Sequence, residues 1–296
     1  MSRKSLAGGA VRSNRSFFYR LTLGLVLIFG VQGCMSLNNI FYWADTYLAW
    51  QIDDYFDLTN EQKAFVDKGL NRFFLSYKYQ EIPKYIEFLQ EVKSRSGRQI
   101  NEPDLVWFWD SLRQFNENIA NLLAEDVSLF LASLEQNQIP YFQSKLNESN
   151  ENWLEEREER LERTAEERLE RRYERIEDWV GSLSEAQKEQ IAVLYPMDGK
   201  AGQFRYSRRL GSQQRFLNII ESNHETQSLK TQLLDWYLKP EQYYSKEYQS
   251  YVESRNQRSM KLILMLDKTA TKKQRQFFHD KLDDYVEELQ QIISGQ

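Results

Sequence analysis

The sequence predicts an all-α protein, an elongated multi-helix bundle with one very long charged central helix. Three observations carry that prediction. Helix breakers are scarce, with 5 Pro and 12 Gly in 296 residues. Apolar residues recur near a 3.6-residue period along most of the chain. No run alternates apolar and polar residues as a half-buried strand would.

Leu37–Phe56 places Ile40, Phe41, Ala44, Tyr47, Leu48 and Phe56 on one helical stripe, and Asp53-Asp54-Tyr55-Phe56-Asp57 ends it. Thr59 and Gln62 then form a capping box, each satisfying an orphaned backbone N–H at the start of a second helix. Phe65, Val66, Leu70, Phe73, Phe74 and Tyr77 are its buried stripe. Pro83 marks a restart running toward Val92, because proline suits a first helical position. Ser94–Gly97 reads as a turn, and Asn101-Glu102-Pro103-Asp104 caps a helix carrying Leu105, Trp109, Leu112, Phe115 and Ile119, with apolar residues continuing through Leu134. Ile139–Val180 contains Pro140 and no glycine, so it is expected as a single helix about 63 Å long. Tyr195–Gly202 is the clearest loop. Its Gly-Lys lacks the spacing and hydroxyl of a phosphate loop, and no strand precedes it. Phe204–Glu221, Leu229–Leu238, Glu241–Leu266 and Thr271–Ile293 complete the helices.

One opening signature recurs. Leu58-Thr59-x-x-Gln62, Leu134-x-x-x-Gln138 and Leu183-Ser184-x-x-Gln187 share L-x-x-x-Q, while Thr271-x-x-Gln274 keeps the hydroxyl and the amide without the leucine. Glu135 is a poor cap, which weakens the second copy. Either these are ordinary capping boxes, or they mark a duplicated helical-hairpin unit.

Residues 1–33 are expected as a signal peptide and 34–296 as an all-helical periplasmic domain. Arg3, Lys4, Arg12, Arg15 and Arg20 precede the eleven apolar-rich residues Leu21–Val31. That run falls short of the roughly 20 residues a spanning helix needs, and suits a signal h-region. Val31-Gln32-Gly33-Cys34 follows, and Cys34 is the only cysteine. The stretch resembles the bacterial lipobox, which implies cleavage after Gly33 and acylation of Cys34, a palmitate-bearing lipoprotein. Met35 at the next position implies, by the same resemblance, sorting to the outer membrane.

Removal of that basic segment would take the net charge from −5 to −10. An acidic surface argues against nucleic acid as a partner. Within Glu151–Asp178, Glu158, Glu162, Glu166, Glu170 and Glu174 lie four apart as an acidic row, and Arg168, Arg171, Arg172 and Arg175 gather on another flank. Glu156–Arg160, Glu159–Arg163 and Glu167–Arg171 are attractive pairs worth about 0.2–0.5 kcal/mol each. Arg205, Arg208, Arg209 and Arg215 gather on one face of the Phe204–Glu221 helix. They either pair with the glutamate row or face lipopolysaccharide phosphates or peptidoglycan carboxylates.

Little points to catalysis. His224 and His279 have no ligand spacing, and there is no nucleophile elbow, so neither cofactor nor metal is expected. The densest carboxylate group is Asp53, Asp54 and Asp57, beside Trp50 and Tyr55. It is a candidate sugar site or acid/base pair, although Asp57 also suits a helix N-terminus through the dipole.

Several stretches together resemble an uncharacterised family of proteobacterial helical lipoproteins. They are the lipobox, Trp50-x-x-Asp53-Asp54-Tyr55-Phe56-Asp57-Leu58-Thr59-x-x-Gln62, the Glu/Arg-rich helix running into Trp179-Val-Gly-Ser-Leu183-Ser-x-x-Gln187, and Gln274-Arg275. The Leu-Thr-x-x-Gln element is also similar to one in the periplasmic stress-response chaperone family. The expectation is a non-enzymatic binding module on the periplasmic face of the outer membrane. Its partners would be the membrane, through the N-terminal lipid, and envelope proteins, peptidoglycan or lipopolysaccharide. The alternative is an enzyme acting on envelope glycans through Asp53, Asp54 or Asp57.

Overall fold

Glutamines at four helix starts organise the fold. The computed structural model describes residues 37–195, 200–222 and 225–295, so Cys34, its flanking signal and His224 lie outside the described residues. The described chain is all-α, as the periodicity predicts. Its helices are α1 (Leu37–Phe56), α2 (Asn60–Ser76), α3 (Ile82–Ser96), α4 (Glu102–Ala132), α5 (Gln138–Leu161) and α6 (Ala165–Val180). They continue with α7 (Glu185–Leu194), α8 (Lys200–Ser222), α9 (Thr226–Leu238), α10 (Lys246–Thr269) and α11 (Lys272–Ser294).

The main core collects apolar side chains from α1 to α5, α8, α9 and α11, among them Phe56, Phe73, Tyr77, Ile82, Phe142, Phe216, Leu229 and Ile292. Helix α9 packs along α4, α11 along α3 and α1, and α5 against α1 and α8. A smaller core of Tyr173, Leu183 and Ile191 joins α6 and α7 to Leu262, Met265 and Leu266 of α10. Helix α11 also packs against α6, where Trp179 stacks on Tyr285 with ring centres 5.7 Å apart.

Two expectations about continuity reverse. The long helix of Ile139–Val180 is two helices. Thr164 caps α6 with Glu167 in a full capping box, and the Arg168 guanidinium turns back to donate to the carbonyls of Leu161 and Arg163. Both orphaned ends are thereby satisfied without proline or glycine. The predicted Glu167–Arg171 pair gives way to that cap, whereas Glu156–Arg160 forms at 3.1 Å. Pro83, conversely, does not begin a separate helix. The backbone stays helical from α2 into α3 through a π turn, Tyr77–Glu81, with Ile82 N–H donating to the Tyr77 carbonyl. The extra residue in that turn accommodates a proline that lacks an N–H and crowds the carbonyl before it.

The recurring glutamines meet in pairs. The Gln62 amide donates to the Ser133 carbonyl (2.9 Å) and to Gln138 Oε1 (2.9 Å). Gln138 donates back to Gln62 Oε1 (2.8 Å) and to the Phe56 carbonyl (2.9 Å). Each Oε1 also accepts from a helix-start backbone N–H, Thr59 for Gln62 and Glu135 for Gln138. The amide half of the second copy therefore survives even though Glu135 cannot cap. Gln187 and Gln274 repeat the arrangement: Gln274 donates to Gln187 Oε1 (3.0 Å) and to the Ser182 carbonyl (2.8 Å), and Gln187 donates to Gln274 Oε1 (3.3 Å). All four side chains are buried.

A charged knot ties two loops. Asp104 accepts from Arg95, Arg98 and the Asn101 N–H, while Asp267 accepts from Arg275 and from the Ile100 N–H. The Arg98 bond, with the Asn101 backbone bond next, holds the Asp104 carboxyl well below the usual range.

Two outcomes are expected. Gln62→Glu is nearly isosteric and keeps the bond to Thr59, but it removes both amide donors and buries a charge against the Ser133 carbonyl. It should cost at least about 2 kcal/mol in a denaturant melt, whereas Glu167→Gln in the exposed Thr164 box should be near neutral. A depressed folded pKa stabilises above the ordinary carboxylate pKa near about 4, and that contribution is lost as pH falls through the folded value. Asp104→Asn should therefore lower the melting temperature at neutral pH, and the gap should narrow below that point.

Candidate functional site

The aspartate cluster closes α1, and its members diverge. Asp53 Oδ1 accepts from the Leu58 N–H (3.1 Å), and Oδ2 pairs with Lys63 of α2 (2.9 Å). Asp54 pairs with Lys145 of α5 (2.9 Å). Asp57 adopts φ of 50°, the left-handed region that Asp tolerates better than most non-glycine residues. Its N–H donates to the Asp53 carbonyl (2.8 Å) and its own carbonyl accepts from Gln138 (3.1 Å). Asp57 thus terminates α1 through its backbone conformation. Glycosidase chemistry needs two carboxyls facing each other across a substrate. Here Asp53 and Asp54 are engaged by lysines on different helices.

The aromatics expected to line that site also separate. Trp50 is exposed and lies 6.0 Å from the Tyr47 ring. Tyr55 is buried against Phe142, and burial raises its hydroxyl pKa. His279 contacts Ser96 Oγ at 3.0 Å; burial, followed by Lys93, lowers its pKa. Among the described residues no three or more His, Cys, Asp or Glu side chains converge as metal ligands.

The arginine face gives a different picture. Arg209 donates to Asn150 Oδ1 (2.5 Å) and Ser149 Oγ (2.9 Å) of α5, so it finds an amide and a hydroxyl instead of the glutamate row. Arg205 is exposed and Arg208 half-buried. Helix α5 brings Arg157 to the start of α8, where a Cβ on Gly202 would stand 2.9 Å from its Nε. Trp153 stacks on Tyr206 one turn along, at 5.1 Å. From α6, Arg172 lies over the Tyr195 ring at 3.7 Å. Burial lowers its pKa, and nearby Arg175 and Arg205 push the same way. The Nε atoms of Arg157 and Arg172 are buried without a hydrogen-bond partner.

Ion-paired arginines include Arg72, Arg95, Arg98, Arg113, Arg160 and Arg275. Among the described residues, Arg157, Arg172, Arg175 and Arg205 form no such pair. Sequence reasoning found Arg205 by its helical neighbours and Arg172 and Arg175 as part of an arginine flank on the charged helix, but it missed Arg157 and the meeting of the two groups. The small Gly202 opposite Arg157 is the one sequence signal of that approach.

The left-handed Asp57 generates a test. Asp57→Gly should leave stability unchanged or raise it, since only conformation is required, while Asp57→Ala should cost roughly 1 kcal/mol. Thermal melts of the two variants beside the parent would read this directly.

No curated protein and no solved structure matches the chain. A family of unknown function does match, over residues 54–249. The match takes in Gln62, Gln138 and Gln187, together with Arg157, Arg172, Arg175 and Arg205, whereas Gln274 falls beyond it. Covering well over half of the sequence, it places the chain in that family, DUF6279.

Proposed function

We propose that this protein is a lipid-anchored binding module on the periplasmic face of the outer membrane, taking anionic envelope glycans on the arginine face where α5, α6 and α8 meet. Its anchor is Cys34, exposed as the new N-terminus once residues 1–33 are removed; the lipobox sequence supports that step. No helix among the described residues is long and apolar enough to cross a membrane.

The observation that carries the ligand class is the set of guanidiniums without a carboxylate partner. The chain has 44 Asp and Glu against 39 Lys and Arg, so carboxylates are not in short supply. Yet Arg157, Arg172, Arg175 and Arg205 gather without one. Clustered guanidiniums repel one another, and they present planar forks suited to phosphate or carboxylate oxygens. Lipopolysaccharide phosphates and peptidoglycan carboxylates share that chemistry. The diverging aspartates do not favour the alternative of a glycan-acting enzyme. The finer kinship with periplasmic chaperones gains no surface from the Leu-Thr-x-x-Gln elements, because their glutamines are spent inside the fold.

The lipidated protein in neutral detergent should co-sediment with lipopolysaccharide or with peptidoglycan sacculi at low salt and detach as salt rises, since screening shortens to about 10 Å at 0.1 M. Arg175→Glu with Arg205→Glu, both at exposed positions, should abolish retention without changing the melt. Equal retention of that variant, or none of the parent on either polymer, refutes the ligand assignment. Release of soluble fragments by the parent, absent in Asp53→Asn, would establish the enzyme reading instead.

A further inference from the structure

We infer that α1 carries a membrane-interface surface, so that the domain reclines on the bilayer beside its own anchor. This rests on the lipid-anchor reading above and adds what the folded part does there. Helix α1 leaves large aromatics in solvent: Tyr42 is 72% exposed, Trp43 59%, Tyr47 43% and Trp50 58%. Positions 43, 47 and 50 follow the i, i+4, i+7 spacing of one helical face. The rings are organised among themselves, Tyr42 edge-on to Trp43 at 5.3 Å and Tyr47 beside Trp50 at 6.0 Å. The opposite face of α1 is committed to the core, with Phe41 against Phe74 (5.4 Å) and Tyr77 (6.3 Å).

Those contacts set the start of α1 beside the end of α2, where Leu75 is 62% exposed, and beside the π turn, where Tyr79 is 56% exposed. Lys78 lies over the Tyr79 ring at 5.4 Å, an arrangement in which an apolar stem and a charged tip can meet both sides of an interface.

The occupant follows from where the chain is tethered. Leu37 opens α1 three residues after Cys34, and three residues reach at most about 10 Å. An acylated Cys34 therefore keeps the first turns of α1 within the head-group region. Tryptophan and tyrosine favour that region, because their rings are apolar while their N–H and O–H groups find water or head-group oxygens. Trp43 and Trp50 are separated by about 10 Å along the helix axis, so both reach the interface only when α1 lies along it. The helix contains Asp45, Asp53 and Asp54 but neither Lys nor Arg. The surface is accordingly suited to zwitterionic phospholipid and not to an anionic one.

The test uses the full lipidated protein in zwitterionic phosphatidylcholine vesicles whose acyl chains carry bromine near the head group. Tryptophan emission should be quenched, and Trp43→Phe with Trp50→Phe should remove most of the quenchable emission. Vesicles enriched in anionic lipid should give no gain. The mass of the N-terminal peptide is read on the same sample. An unmodified Cys34 removes the anchor and this inference with it. A diacylated Cys34 with emission that bromine does not touch overturns the inference alone. Shielding of Trp43 and Trp50 from an aqueous quencher together with a doubled sedimentation mass, without bromine quenching, would assign the face to a second copy of the chain.

Discussion

An amide side chain buried at a helix start has to satisfy its hydrogen-bonding groups without water, and that constraint shapes this fold. At Thr59–Gln62 and Ser184–Gln187 the glutamine is buried, while Thr59 is half-buried and Ser184 exposed. A glutamine amide solves the problem because its oxygen accepts twice and its nitrogen donates twice. Gln62 uses all four capacities, to Thr59, Gln138 and Ser133. A glutamate could accept from the N-cap but could not donate to a partner or a carbonyl. The exposed box at Thr164 uses Glu167, and the Asn101 box uses Asp104, whose charge is answered by Arg95 and Arg98. The choice between amide and acid at the same helical position follows from what surrounds it.

This division also explains what was legible in the sequence. A capping box is a local pattern, so Thr59–Gln62, Ser184–Gln187 and Thr271–Gln274 could be read from spacing alone. Their pairing joins residues 76 and 87 positions apart, and no local rule reports it. The recurrence of L-x-x-x-Q held the signal, including the weak copy at Gln138. Its cap residue is wrong, but its amide performs the same task. Helix continuity was misjudged in both directions because breakers are only one cause of a break. A capping box and Arg168 stop a helix at Leu161, where neither proline nor glycine stands, and a π turn carries a helix past Pro83.

The candidate sites divide along the same line. Asp53, Asp54 and Asp57 looked like a cluster because they are close in sequence. On a helix, however, adjacent residues point about 100° apart, and one carboxylate goes to α2 while its neighbour goes to α5. The arginines show the converse. Arg205 was visible on one helix and Arg172 and Arg175 on another, and Arg157 joins them because α5 packs against α8 and the helix breaks at Glu162–Thr164. That break, invisible to composition, is therefore what assembles the arginine face.

The two glutamine clasps are chemically alike but differently supported, which bears on where the molecule can yield. The Gln62–Gln138 clasp sits against the main core, beside Phe56 and Phe142, whose rings stack 4.4 Å apart, and its reciprocal bonds are 2.8 and 2.9 Å. The Gln187–Gln274 clasp adjoins the small core of Tyr173, Leu183 and Ile191, and its reciprocal bonds are 3.0 and 3.3 Å. Local opening is easiest where fewest apolar contacts must be broken. Helices α6, α7 and α10 therefore form the more yielding part, and α6 is where Arg172 and Arg175 reside. The surface facing the proposed ligand is drawn partly from that part, while the aromatic face of α1 belongs to a helix packed into the main core. The firmer backing of the α1 face and the looser backing of the arginine surface thus follow from the size of the core behind each clasp.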